Sequence, residues 1–505
     1  MCRRRWARRR TSVQRITVVA ASTLLSLLAG CRSTSDAPRP EAGGAAMATV
    51  QTASRSVDVQ CGPIRAPLRI HDKVPNEVDI PDPDMDGKQC LFDVFSWNSL
   101  IALSHSEEGL FPGTPVWQGW PQSSDIFLPG GRDPGPWPGR REIPAACERS
   151  GLLDPQNLLD DQPIFRQFGK NRLEAVSQPF DSGPLVDVNG FYSRFMIAVN
   201  RDMYDEIRED SLYSREGQVG KTVNFSCGCD PDAGNTGDET CPDGGQQGAV
   251  MVKSAWRILV PEDDHGRFHT TKAWVVTPAM RGQEETCAIR TLGLVGFHIA
   301  HKTQSRPQWI WSTFEHIDNA PVQGESIPAG AQYSFYQPNC EGCNKANVPP
   351  PRPWDPHLEP VQDNRLKTQV KRVISITPDQ QEVARTVNEK AHGLLEGTVW
   401  THYELISTQW PVDPEISDEN QRQTPSESNR WCRAIDPTDE DGRPAPEFLA
   451  NTTLETFIQG KTPMVSSSCI TCHRQATLAP GTRSKDGSQH SDPFADFTFL
   501  LERAQ

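Results

Sequence analysis

Long apolar runs and an excess of positive charge are both missing from this sequence. A helix that crosses a bilayer needs about 20 consecutive apolar residues, and the longest apolar run, residues 18–28, is shorter than that. Lysine and arginine together number 51 against 65 aspartates and glutamates, which gives a formal net charge of −14. Because an acidic surface repels phosphate backbones, we expect no nucleic acid partner.

Internal repeats are also missing, and the chain contains too much proline and glycine for a helical bundle. Its 505 residues include 43 prolines and 37 glycines, which favours a loop-rich fold. Hydrophobic residues make up 36% of the chain, enough to form real cores, and the length allows two or three domains.

Residues 1–30 have the pattern of a secretory signal peptide. Six arginines between positions 3 and 10 form a basic region ahead of the apolar run. The run ends in Leu27-Leu28-Ala29-Gly30-Cys31, which resembles a bacterial lipobox and implies cleavage before Cys31 with lipid attached to its sulfur. Cleavage by ordinary signal peptidase, without lipid attachment, is the alternative.

The segment after Cys31 predicts a flexible tether over residues 31–60, since residues 33–56 are rich in alanine, proline, serine, threonine and glycine. Loss of the seven arginines of residues 1–30 takes the formal charge from −14 to −21. We therefore expect a protein anchored by lipid in the bacterial cell envelope, facing the periplasm or the exterior. Arg32 after the lipidated cysteine is compatible with outer-membrane sorting.

Cysteine usage also indicates an exported protein. Of 14 cysteines, Cys2 is lost with the signal peptide, Cys31 takes lipid, and Cys469 and Cys472 belong to the motif described next. Cys340-x-x-Cys343 could bind zinc, but no second ligand pair follows at the required spacing, which favours a disulfide. The ten remaining cysteines predict up to five disulfides, and their pairing stays open. These cysteines are Cys61, Cys90, Cys147, Cys227, Cys229, Cys241, Cys287, Cys340, Cys343 and Cys432.

The motif near the C-terminus is Cys469-Ile470-Thr471-Cys472-His473, the C-x-x-C-H pattern of c-type haem attachment. Two intervening residues allow both cysteine sulfurs to reach the same porphyrin edge as thioethers, and the histidine is then held as an axial iron ligand. A chance CxxC before a histidine, or a disulfide, is the alternative. We expect one covalent haem c, held by Cys469 and Cys472, with His473 on the iron.

Periodicity predicts an α+β fold in which an antiparallel β-sheet core carries the C-terminal haem-attachment segment. β-branched and aromatic runs bounded by turn residues predict strands over residues 191–200, 249–260, 272–277, 291–301, 308–317 and 398–408. Helical spacing of apolar residues predicts helices over residues 89–104 and 380–395. We expect a β-rich haem domain over residues 186–505, with helical, loop-rich and disulfide-linked wrapping over residues 61–185.

The stretch from Asp82 to Asp93 matches an EF-hand calcium loop in outline. No helix precedes it, because Pro75 and Pro81 intervene, and Gln89 stands where an apolar residue is usual. We interpret the stretch as an acidic turn that caps the helix after it.

The sixth coordination position of the iron has no methionine candidate downstream of His473, since none occurs among the last 32 residues. Met464 precedes the attachment loop too closely to cross the haem easily. A methionine would have to come from elsewhere in the fold, which leaves Met196, Met203, Met251 or Met280.

Three histidines are candidates for a distal ligand or a proton donor beside the iron: His298, His301 and His316. On a strand, His298 and His301 face opposite sides, so at most one of them points inward. For each, a structural histidine that is hydrogen-bonded in a polar crevice is the alternative.

Short segments resemble known haem proteins. Gly248-Ala249-Val250-Met251-Val252-Lys253 and Asp496-Phe497-Thr498-Phe499, with the C-terminal C-x-x-C-H, are similar to β-sheet mono-haem proteins of the cytochrome c′-β type. Residues 307–321 with the C-x-x-C-H motif resemble a set of large, uncharacterised bacterial mono-haem cytochrome c family lipoproteins. The first resemblance implies an open or weakly filled sixth position, used to bind nitric oxide or to oxidise small nitrogen compounds.

Two classes of function are consistent with these features. The position of the motif and the size of the body favour a haem protein with an open or displaceable sixth site that binds or acts on a small molecule. If it is an enzyme, it is a haem-dependent oxidoreductase. The alternative is a six-coordinate electron-transfer cytochrome, docked to a redox partner protein of a membrane chain through its lipid anchor. A structural haem in an envelope binding protein is a third interpretation.

Replacement of Cys31 by serine tests the lipid anchor. Labelled palmitate should enter the wild-type protein and not the Cys31→Ser variant, because serine lacks the sulfur that takes the lipid. The variant should also move from the membrane fraction to the soluble fraction. If the wild-type protein takes up no label and is already in the soluble fraction, it is a plain secreted protein.

Overall fold

An eight-stranded sheet is the centre of the computed structural model. The structure describes residues 56–81, 85–106, 109–110, 113–139, 141–150, 162–166, 182–229, 245–412, 443–461, 467–481 and 494–505. The predicted signal peptide over residues 1–30, the lipidated Cys31 and residues 31–55 of the predicted tether lie outside these ranges. A strand begins at Ser56, so the last five residues of the predicted tether, 56–60, belong to folded structure.

The strands are short except in the middle of the sheet. They are β1 (Ser56–Cys61), β2 (Ile64–Arg69), β3 (His105–Ser106), β4 (Gly109–Leu110), β5 (Ile164–Phe165), β6 (Arg194–Val199), β7 (Val250–Ile258), β8 (Thr270–Thr277), β9 (Thr286–His301), β10 (Ile310–His316), β11 (Tyr403–Pro411) and β12 (Pro444–Ala445). The helices are α1 (Lys88–Leu103), α2 (Ser123–Ile126), α3 (Ala145–Arg149), α4 (Arg201–Glu209), α5 (Arg215–Gln218), α6 (Pro378–Leu394) and α7 (Cys469–His473).

The sheet runs in the order β12-β11-β10-β9-β7-β6. Strand β9 is long enough to pair with β8 along its first half and with β10 along its second half. Its neighbours pair with it in antiparallel fashion, whereas β5 runs parallel to β8. The predicted α+β class is therefore confirmed, and so are the six predicted strands and two predicted helices, with ends displaced by up to five residues.

Both faces of the sheet are covered. Phe297 and Ile299 of β9 pack into a core that includes α1 and α6, and we call this side the α1 face. Ala300 of β9 and Met251 of β7 pack into a second core with α7 and residues 494–504, and we call this side the α7 face. Because neighbouring strand residues point to opposite faces, a shift of one position along β9 moves a side chain from one core to the other.

Helix α1 lies across the α1 face and is buried on most of its surface. Phe92 stacks on Trp410 of β11 at 4.4 Å between ring centroids. Trp97 donates its indole N–H to Asn388 Oδ1 of α6 at 2.8 Å, so the polar atom of this fully buried ring is satisfied. These contacts clamp α1 between the sheet and α6.

The acidic turn does not cap α1 as the sequence suggested. The residue before the helix is Gly87, whose φ of 90° places it in the left-handed region, and no side chain accepts a capping hydrogen bond there. Asp93, the twelfth position of the EF-hand-like stretch, lies within α1 and accepts from Gln89 Nε2 and from the Thr408 backbone N–H. Residues 82–84 lie outside the described ranges.

A β-hairpin lies at the start of the region that the sequence predicted to be helical and loop-rich. Strands β1 and β2 pair in register from Ser56 with Arg69 to Cys61 with Ile64. Proline in a strand normally argues against that assignment, but Pro67 is tolerated because β2 is the edge of a two-stranded sheet.

The disulfide prediction is confirmed for the described cysteines outside the C-terminal motif. Cys61 pairs with Cys90, Cys147 with Cys287 and Cys340 with Cys343, so the zinc alternative for the last pair is wrong. Cys227 and Cys229 are also disulfide-bonded. Cys241 and Cys432 lie outside the described residues. Within the described ranges, no helix is both long and apolar enough to cross a membrane.

The buried Asp93 makes the stability of this protein depend on pH. Burial raises the pKa of Asp93 from 3.8 to about 7, while hydrogen bonds from Thr408 and Gln89 act against that rise. Between these two values the folded chain holds a proton that the unfolded chain releases, so stability falls as pH rises from about 4 to 7. An Asp93→Asn variant should lose less stability than the wild type when the pH is raised from about 5 to about 7.5.

Urea midpoints at the two pH values measure this difference. Asp58→Asn is the control, because it removes the same charge from an exposed position on β1 and should follow the wild type. If the urea midpoint of Asp93→Asn changes between the two pH values as much as that of the wild type, the raised pKa of Asp93 does not control this pH dependence.

Candidate functional site

Helix α7 is a single turn held on the edge region of the sheet by β11. The Ile470 backbone N–H donates to Gln409 Oε1 at 2.8 Å. The amide nitrogen of Gln409 donates to Pro446 O at 2.6 Å and to Ser468 Oγ at 3.3 Å. Because Gln409 is buried and satisfied on both amide atoms, it fixes the position of α7 on the α7 face.

The two cysteines of α7 differ from the other cysteines that the structure describes. Cys469 and Cys472 are not disulfide-bonded, whereas the eight other described cysteines are. Residues three apart in a helix lie on the same side, so the two thiols face a common region. Cys469 is buried and Cys472 is half-buried.

His473 has its ring orientation and its tautomer set by two neighbours. Its Nδ1 lies 2.7 Å from Phe497 O, and a carbonyl oxygen only accepts, so Nδ1 carries the hydrogen. Its Nε2 lies 3.4 Å from Lys253 Nζ, and an ammonium only donates, so Nε2 presents its lone pair. The rings of Trp311 and Phe499 pack against the imidazole at 4.4 and 5.2 Å between centroids.

Lys253 is the side chain that faces the His473 lone pair. It stands on β7, directly opposite His298 of β9. Burial lowers the pKa of Lys253 to about 8, the thiols of Cys469 and Cys472 raise it, and Arg503 lowers it further. The α7 face therefore presents a buried amine next to the C-x-x-C-H motif.

His298 lies beside Lys253 on the same face of the sheet. Residues directly opposite each other on antiparallel strands are about 4.5–5.5 Å apart at Cα and share one face. His298 Nε2 is 3.4 Å from Glu455 Oε2, and Glu455 also accepts from the Asn451 backbone N–H at 2.9 Å. A histidine paired with a carboxylate thus adjoins the lysine, and both members of the pair are buried.

His301 and His316 point to the other side of the sheet. His301 stacks on Phe95 of α1 at 5.5 Å, and its Nε2 is 2.7 Å from Gln247 O. The Nε2 of His316 is 3.0 Å from Arg267 O. Burial lowers the pKa of both histidines to about 4. The structure places His298 opposite Lys253, whose amine contacts His473. It leaves His301 and His316 on the α1 face, where they are buried as well because both faces are covered.

Met251 stands on the strand that carries Lys253. It precedes Lys253 by two residues on β7 and, like Met203, belongs to the same core as Cys469. Its Sδ lies 3.6 Å from Thr498 Oγ1. Of the other methionines considered from the sequence, Met203 lies in α4, Met196 lies on the α1 face, and Met280 packs against a separate cluster. Met464 lies outside the described residues.

The sequence provided no basis for assigning a role to Lys253 and did not single out Gln409 or Glu455. The alternation of Met251 and Lys253 along a predicted strand is enough to place both on one face. It could not say which strand of the sheet would lie opposite, because register depends on pairing over long sequence distances. Glu455 comes from a chain segment without periodicity, so no pattern pointed to it.

These residues fit a covalently attached haem. Thioether formation needs two thiols that are not bound to other cysteines, and ligation needs an unprotonated ring nitrogen whose partner nitrogen is hydrogen-bonded. Cys469, Cys472 and His473 Nε2 meet these requirements. No group of three or more His, Cys, Asp or Glu side chains within the described ranges is arranged to hold a bare metal ion, and haem iron takes only its axial ligands from the protein.

Comparisons with protein-family models, curated proteins and solved structures give no significant match for this chain.

Proposed function

We propose that this protein is an envelope-anchored mono-haem c-type cytochrome. In this proposal Cys469 and Cys472 hold the haem through thioethers and His473 Nε2 binds the iron. The observation that carries it is the tautomer of His473: Nδ1–H donates to Phe497 O, so Nε2 carries the lone pair, which faces Lys253 Nζ at 3.4 Å. Metal-binding histidines in proteins are usually held in this way.

The residues around α7 give this site rigidity. Gln409 anchors the helix turn, and the rings of Trp311 and Phe499 pack against the imidazole. When bound, the haem supplies one-electron redox chemistry and a position for a small ligand. Preorganised contacts of this kind reduce the reorganisation that a redox or binding event requires.

The side chains beside His473 Nε2 favour a site that binds or acts on a small polar molecule. Lys253 donates hydrogen bonds into this region, and His298 adjoins it on the next strand. Glu455 orients His298 and gives it a partner that can take or return a proton. We therefore favour an open or displaceable sixth position, and if the protein is an enzyme, a haem-dependent oxidoreductase.

A six-coordinate electron-transfer cytochrome is the second candidate, and Met251 is the observation that favours it. Its thioether lies in the same core as Cys469, on the strand that also carries Lys253. A methionine ligand is typical of cytochromes that only transfer electrons. In that case the lipid on Cys31 would keep the protein near a membrane-bound redox partner.

Covalent haem attachment is tested by staining denaturing gels for haem peroxidase activity. Wild-type protein from cells able to attach c-type haem should give a stained band, because thioethers survive denaturation. The band should vanish in Cys469→Ala/Cys472→Ala. The matched control is Cys340→Ala/Cys343→Ala, which removes the other CxxC pair and should keep the band, since that pair is a disulfide without a following histidine. Absence of haem staining at the position of the wild-type protein would contradict the proposal.

Carbon monoxide binding to the ferrous protein decides between the two candidates. An open or displaceable site predicts a carbon monoxide complex, whereas a low-spin ferrous spectrum indifferent to the gas would establish the electron-transfer alternative. The His298→Ala variant loses one hydrogen-bond donor, so its affinity for carbon monoxide should fall roughly two- to tenfold. His301→Ala is the control, because it removes a histidine from the same strand on the opposite face.

A further inference from the structure

The Phe497 carbonyl that accepts from His473 sits in an unusual turn. Asp496 and Phe497 have φ angles of 47° and 61°, so two successive residues other than glycine are left-handed. This conformation is unfavourable for any residue with a Cβ atom, less so for aspartate than for a bulky aromatic residue. Such a turn persists only where its surroundings hold it in place.

A buried ion pair holds this turn. Asp496 Oδ2 lies 2.5 Å from Lys302 Nζ, and the two side chains are 2% and 0% exposed. The same carboxylate oxygen accepts from the Phe225 backbone N–H at 2.8 Å. Lys302 also donates to Asn224 Oδ1 at 2.6 Å. The turn is thereby tied to residues 224–225 and to the end of β9.

The ion pair is poorly explained as a source of stability alone. Removing two charges from water costs several kcal/mol per ion, and the attraction between them often does no more than offset that cost. In some proteins, buried pairs of this kind fix one conformation. Here the pair includes Asp496, which directly precedes the residue whose carbonyl accepts from His473 Nδ1.

We propose that Lys302 and Asp496 are positioning residues that set the strength of the His473 hydrogen bond and, through it, the electronic character of the bound iron. This inference rests on the proposed haem function. A strong Nδ1–H···O bond raises the basicity of Nε2. A more basic axial ligand stabilises ferric over ferrous iron, so the ion pair lowers the reduction potential of the haem.

Asp496→Asn is the direct test, since asparagine keeps an oxygen for Phe225 and removes only the charge. In the full chain produced without haem, nitrogen NMR of labelled histidine should show the Nδ1–H tautomer of His473 in the wild type and a mixture of tautomers in the variant. In the haem-loaded protein, the variant should have a higher midpoint potential and a lower iron–histidine stretching frequency in the ferrous state.

Asp187→Asn is the matched control. Asp187 is an equally buried aspartate that is paired with Arg257 at 3.3 Å and accepts from the Phe191 backbone N–H, and neither partner belongs to the turn. It should leave the His473 tautomer, the potential and the stretching frequency unchanged. If Asp496→Asn does not fold, Lys302→Met/Asp496→Asn removes both charges of the pair and should give the same three shifts.

The outcomes separate this inference from the proposed function. Wild-type values of all three quantities in both Asp496 variants would overturn the positioning role. Absence of haem on the wild-type protein would overturn the proposed function, and the tautomer measurement on the haem-free chain would still decide whether Lys302 and Asp496 control His473.

Discussion

The hydrogen bond from His473 Nδ1 to Phe497 O is the constraint on which the arrangement of the site depends. It joins the helix turn that carries the two thiols to the last chain segment, residues 494–505. It also decides which ring nitrogen keeps its lone pair, because the carbonyl oxygen can only accept. Without it, the imidazole could turn or change tautomer, and Nε2 would no longer be the nitrogen that carries the lone pair beside the two cysteines.

The sheet separates the chemistry of its two faces. Lys253, His298 and Met251 point to the α7 face, whereas His301 and His316 point to the α1 face, where their rings stack on aromatic neighbours. Two covered faces explain why a chain of this length surrounds one motif, since the central strands bury side chains on both sides. The long β9 connects these regions because it pairs with β7, β8 and β10.

Local patterns in the sequence predicted much of the fold. The helical spacing of residues such as Leu91, Phe95 and Ile101 predicted α1, and β-branched runs predicted the central strands. The β1–β2 hairpin was not predicted, because a proline such as Pro67 usually argues against a strand. Pro67 is acceptable here only because β2 is an edge strand of a two-stranded sheet. The prediction that an acidic turn caps α1 was wrong. The helix begins after the left-handed Gly87, without any side-chain cap.

The site was predictable only where its chemistry lies in consecutive residues. Cys469, Cys472 and His473 follow from spacing alone. The neighbours Lys253, Glu455 and Asp496 come from positions up to 220 residues away, and their approach depends on strand register and on the path of the C-terminal segment. Long-range pairing of this kind leaves no trace in local periodicity.

Peptide mapping by mass spectrometry tests the central claim most directly. Trypsin cleavage after Lys461 and Arg474 releases the peptide of residues 462–474, which contains both cysteines of the motif. The account predicts that this peptide carries the mass of one haem, with both thiols consumed. Recovery of the same peptide from haem-competent cells with Cys469 and Cys472 as unmodified thiols, or joined as a disulfide, would contradict it.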